Sequence, residues 1–235
     1  MSGPFRYVLW GVAVAIDLAV PPIAWRQLPG APIVVSHLTE RFGTFFIIVL
    51  GESVVGVVSG VAGFEFSVES WIVAGACFLI ALCMWWIYFD LADTSVLGRG
   101  VLGVIYLYAH FPLLAGVAMF GAGTKLAITQ AAAPTLGVAA RWALGGGIAA
   151  FALALAALHM GAEWTSVRDR TFVGRVVLAA LAIGLAGGGR GLAALTFVLL
   201  LLAGMLGQLL LEAFTFPVGA ASVWEPPERI ESAQA

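Results

Sequence analysis

Apolar residues run along this chain in long stretches separated by short polar breaks, and the stretches are close to twenty residues each. A run of that length crosses the roughly 30 Å of bilayer hydrocarbon as an α-helix, and only helices and closed barrels satisfy their own backbone there. The pattern predicts seven spans, over 5–25, 43–63, 70–89, 101–122, 137–159, 172–188 and 191–214. Turns are expected at Arg26 to Ser36, Glu65 to Ser70, Asp90 to Gly100, Gly123 to Thr135 and Gly161 to Thr171. The Gly187–Gly191 break reads equally as a hairpin or as a kink in a longer element. Trp25, Trp71, Trp142 and Trp164 stand at span ends, where an indole prefers the headgroup level. The fold class is therefore all-α, a polytopic transmembrane helix bundle of about seven spans over 1–222, followed by a disordered acidic tail at 223–235.

Composition agrees with this partition. Hydrophobic residues make up 62% and charged residues 10%, with a mean hydropathy of +1.04, well outside the range of soluble domains. The lipid bilayer is the first partner. A net charge of -2 gives no basic stripe, so no nucleic-acid partner is expected. Lys and Arg beside the loops divide seven against four, which predicts a multi-pass protein of the cell (plasma) membrane with a cytoplasmic C-terminus. Cys77 and Cys83 lie six apart in one run and fall on different faces of a helix, too far around it to bridge. Glycine pairs at Gly56/Gly60 and Gly184/Gly188 predict close helix contacts, and a homo-oligomer is a plausible consequence of such faces.

Candidate chemistry resides in the few polar groups inside the spans. Glu52 stands deep in the second span, where an ionised side chain costs several kcal/mol unless it is paired, hydrated or protonated. Arg41 shares its face within about 20° but lies about 16 Å away along the axis, so the two cannot pair. Asp17 precedes Pro21-Pro22, where a kinked or broken helix would free carbonyls beside a carboxylate. His110, mid-span and followed by Pro112, reads either as a proton acceptor or as a packed neutral histidine. Glu52, Asp17 and His110 are thus candidates for binding a proton or small cation. His37, Glu40, Arg41, Ser53 and Asp90 form the supporting motif, with Glu40 favoured near a helix N-terminus and Asp90 below Trp86 at the end of an aromatic run. His159 with Glu163, and Gln208 with Glu212, are expected to be solvated at the interfaces.

Zinc-protease, nucleophile-elbow, Walker and dinucleotide-binding patterns do not occur, and the hydrophilic segments are too short to fold as separate domains. No cofactor or metal is expected, and no enzymatic activity.

The segment His37-x-x-Glu40-Arg41-Phe42-Gly43, followed by Ile47-Ile48-Val49-Leu50-Gly51-Glu52-Ser53, resembles the bacterial low temperature requirement A (LtrA) family of membrane proteins. Trp85-Trp86-Ile87-Tyr88-Phe89-Asp90 and Tyr108-Ala109-His110 extend the resemblance over most of the chain. Family members usually begin with a further half carrying a Phe-Phe-Asp-Leu-Val-Phe segment, which this sequence lacks, so the chain is expected to match the C-terminal, seven-span portion. The resemblance implies a membrane helix bundle but no activity, because the family is named for a growth phenotype. Two function classes stand open: a proton- or cation-coupled transporter or channel, and a non-transport membrane protein for envelope or cold adaptation whose polar residues hold helices together.

Overall fold

The structure is a computed structural model describing residues 4–27, 35–62, 67–91, 101–160 and 169–215. The described chain is helical: α1 (Pro4–Gln27), α2 (Val35–Val61), α3 (Val68–Leu91), α4 (Val101–Thr129), α5 (Val138–Arg141), a π-turn (Trp142–Gly146), α6 (Gly147–Met160), α7 (Arg170–Gly188) and α8 (Ala194–Thr215). Six segments are long and apolar enough to cross a membrane, and one of them, Val138–Met160, joins α5, the π-turn and α6. The first predicted span is helical as α1, and its described apolar stretch is the shorter Tyr7–Asp17. α1 continues through Pro21 and Pro22, so the break expected beside Asp17 does not form. The predicted tail at 223–235 lies outside the described residues.

Two boundaries differ from the pattern for local reasons. α2 begins at Val35, ahead of the apolar span predicted from residue 43, so the polar motif forms its first turns, with Glu40 near the helix N-terminus as expected. α4 runs to Thr129, past the turn expected at Gly123, because Gly123 and Thr124 both serve the helix. A Cβ at Gly123 would stand 2.8 Å from the Leu144 nitrogen, and the Thr124 hydroxyl donates to the Phe120 carbonyl at 3.1 Å. The glycine break after α7 is a hairpin. Leu192 N–H donates to the Gly189 carbonyl, and the Leu192 carbonyl accepts from Leu136 N–H, which ties this turn to the segment entering α5.

Close approach at small residues sets how the helices neighbour one another. α2 and α4 run parallel: Phe42 stacks on His110, Ser53 backs onto Gly121, and Gly60 faces Ile128. A Cβ on Gly56 would lie 2.6 Å from the Gly121 carbonyl oxygen. α4 and α6 cross antiparallel at Gly116 and Gly147, where a Cβ on either would meet the other's carbonyl oxygen at 2.6 Å. Such contacts place backbone against backbone, the geometry small residues permit inside membranes. Gly184 and Gly188, by contrast, face open space, so the close contact expected from that pair is not formed. In order of contact, α2, α4, α6, α7, α8 and α3 form a closed ring, with α3 touching α2 and α8. Phe46, Phe120 and Phe151 fill its interior. Among the described residues, α1 makes no extensive contact with the ring.

Candidate functional site

The predicted site residues fall in three different environments. His110, on α4, is fully enclosed. Its Nδ1 lies 2.7 Å from the Tyr106 carbonyl oxygen, its Nε2 lies 3.2 Å from the Tyr88 hydroxyl, and its ring stacks on Phe42 at 4.0 Å. A carbonyl can only accept, so Nδ1 carries the proton and Nε2 accepts from Tyr88. The neutral ring is therefore satisfied on both sides. Phe46 stacks on Tyr88 at 4.0 Å, which completes an aromatic clamp joining α2, α3 and α4. Of the two roles open to His110, this geometry matches the packed neutral histidine.

Glu52 occupies the opposite setting. It stands about halfway along the α2 span, with its side chain exposed on the outer face of the ring, while the adjacent Ser53 is buried against α4. His110 pairs with Phe42 and Gly121 with Ser53, so Glu52 and His110 are about 16 Å apart along the bundle axis. They do not share a site. The ion pairs among the described residues are His159–Asp169 and Arg175–Glu212, and neither reaches Glu52. Glu40 and Arg41 are exposed at the start of α2 and line an open depression with Thr44, Phe45 and Ile48 on the same outward side. The Ser53 hydroxyl finds no hydrogen-bond partner among the described residues. Asp17 is exposed on α1, away from any convergence with the other two candidates. His37 lies in the first turns of α2 and Asp90 in the last turn of α3, and their side chains lie outside the described residues.

Of the residues expected to be solvated, His159, Gln208 and Glu212 are buried, and the last two belong to a network with Arg175. Arg175 on α7 donates from Nε to Glu212 Oε1 on α8 at 2.9 Å and from Nη1 to the Leu155 carbonyl on α6 at 3.2 Å. Gln208 Nε2 donates to the same Glu212 oxygen at 2.7 Å. Gly174 leaves the room for this, since a Cβ there would stand 2.5 Å from Gln208 Oε1. His159 Nε2 lies 3.2 Å from Asp169 Oδ2 at the outer end of the cluster. Glu163, the expected partner of His159, lies outside the described residues. The physical reason for the correction is position: the α7 and α8 ends cover each other and α6, so groups near the interface by count lie inside by packing. One further cation is buried. Arg141, entering the π-turn, is 6% exposed, and its Nε and Nη1 have no partner among the described residues. Counting its charge as a topology signal concealed this.

The sequence model of the bacterial low temperature requirement A protein (LtrA) matches residues 1–211. The chain belongs to this family. An uncharacterized protein of Rhizobium meliloti (strain 1021) is 28% identical over 141 residues, covering 53% of this chain and 34% of the relative. The chain thus aligns with about a third of that relative's length. No solved structure matches it. Membership of LtrA and six membrane-length apolar helices agree on a multi-pass membrane protein.

Proposed function

We propose that this LtrA protein handles a proton or small cation across the cell membrane, with Glu52 as the group that binds it and a cytoplasmic C-terminus. One observation carries the reading: Glu52 stands mid-span without a counter-charge among the described residues, whereas the carboxylate of Glu212 is buried with Arg175 and Gln208 around it. A carboxylate kept only for structure is expected to be paired as Glu212 is, because an ionised group in hydrocarbon costs several kcal/mol. One left unpaired is suited to reversible neutralisation by a proton or cation. Asp17, exposed on α1, is the second acidic group of this kind. His110 has no part in the binding step and serves as a clamp. No enzymatic step is proposed.

The alternative, a non-transport protein for envelope or cold adaptation, draws support from the Tyr88–His110 and Arg175–Glu212 links, which hold helices together. The two readings part at one measurement. In proteoliposomes of the full chain with an imposed proton, sodium or potassium gradient, wild type carries flux and Glu52→Gln reduces it at least tenfold without loss of folded yield. Folded wild-type protein that carries no flux under any of these gradients overturns the transport reading.

A further inference from the structure

The outer face of α2 is the least covered of the six spans, with 28% of its apolar window buried against 33% for the next lowest. Exposed Ile48 and Val55 are at home against lipid tails, so apolar exposure by itself requires no partner. Glu52 is different. Lipid offers it no hydrogen bond, and the stripe Arg41, Phe45, Ile48, Glu52, Val55 and Ser59 recurs at three- and four-residue steps along one side of the helix, all of it exposed. Beside it, Gly51 has no atom within 4 Å of where a Cβ would project, so a second backbone can come close at that depth. The glycines that seal α2 to α4, Gly56 and Gly60, are buried and already filled, so the free side is the flank carrying Ile48, Val55 and Ser59.

We propose that a second copy of this chain docks here, α2 against α2, with the two Glu52 carboxyl groups sharing one proton across the interface. Any occupant of the face must present a hydrogen-bonding group at the depth of Glu52 on an otherwise apolar surface. A second copy inserted the same way meets that condition by symmetry, because a two-fold axis along the membrane normal brings Glu52 of each protomer to the same level. One carboxyl keeps its proton and donates to its partner's carboxylate, so a single proton and a single negative charge serve two side chains. No bond is made or broken beyond that hydrogen bond. The proposal rests on Glu52 being the working acid described above, and it adds that the proton or cation site is completed between two protomers.

The test introduces one cysteine at a time into the full chain in membranes, the native Cys77 and Cys83 both being buried. Val55→Cys on the outer face of α2 and Leu181→Cys on α7, across the ring, are both exposed. Oxidation with copper-phenanthroline is expected to convert Val55→Cys to a cross-linked dimer at least tenfold more than Leu181→Cys. Adding Glu52→Leu should remove most of that dimer, while Glu52→Gln, which still hydrogen-bonds, should retain it. The proposal is overturned if Val55→Cys cross-links no better than Leu181→Cys, if it reacts within its own chain or with a protein of another mass, or if Glu52→Leu leaves the dimer intact. Dimer without flux would sink the transport reading alone, and flux without dimer would sink this inference alone.

Discussion

Two carboxylates on apolar helices, Glu212 and Glu52, meet opposite fates. Glu212 is buried where α6, α7 and α8 converge and takes hydrogen bonds from Arg175 and Gln208. Glu52 is exposed on the outer face of α2 with no such neighbours among the described residues. Both are single acids in long apolar runs. Their difference teaches that the environment of an intramembrane charge is set by which helix faces meet, and that an unpaired one marks where the described bundle leaves a task undone.

The largest expected effect breaks the paired side of this contrast. Arg175→Leu strands Glu212 in the interior and should cost about 3–5 kcal/mol of stability, read as a lowered midpoint of thermal unfolding in detergent. The double variant Arg175→Leu/Glu212→Leu should recover most of that loss. A single variant that unfolds like wild type would show that the ion pair is not what holds the α7–α8 end.

Glycines sharpen the same comparison. Gly147→Ala drives a methyl against the Gly116 carbonyl oxygen and should destabilise by roughly 1–3 kcal/mol. Gly51→Ala meets nothing within the protomer and should be neutral or up to about 1 kcal/mol stabilising in the monomer through better helix propensity. Equal melting behaviour of the two would contradict the closeness of the α4–α6 crossing.

A smaller change tests the aromatic clamp. Tyr88→Phe removes the donor to His110 Nε2 and leaves an unsatisfied acceptor, so a loss of about 1–2 kcal/mol is expected by the same unfolding assay. Flux should stay at the wild-type level, since His110 is remote from Glu52. A transport defect in well-folded Tyr88→Phe would return the histidine to the working site.

Least of all should Glu52→Gln alter the stability of the isolated protomer, within about 0.5 kcal/mol, as an exposed side chain without partners has little folding energy to lose. A drop comparable to that of Arg175→Leu would mean that the carboxylate is paired after all, and the contrast would vanish.

Part of this was legible in the chain. The span pattern located the helices because a hydrophobic run of membrane length has one economical backbone solution, and Gly56 with Gly60 announced a seam that does form. The shared face of Arg41 and Glu52 followed from helical register, and both are exposed. Other features were invisible. Gly184 and Gly188 have the same spacing as the seam pair yet touch nothing, because α7 turns that side outward. Gln208 and Glu212 looked like interfacial residues, since nothing near them in sequence announces Arg175, 37 residues earlier. The enclosed guanidinium of Arg141 and the π-turn after it left no local signal at all.

Sequence by itself determined that this is a membrane helix bundle and which LtrA motif it carries, because hydrophobic length and helical period are properties of neighbouring residues. Only the tertiary structure decided which polar groups are satisfied. His110 finds Tyr88 and Arg175 finds Glu212 across packed helix faces, whereas the Glu52 side chain is exposed beside the α2–α4 seam. Charge pairing over long separations depends on which surfaces touch, and that is fixed only when the helices close on one another.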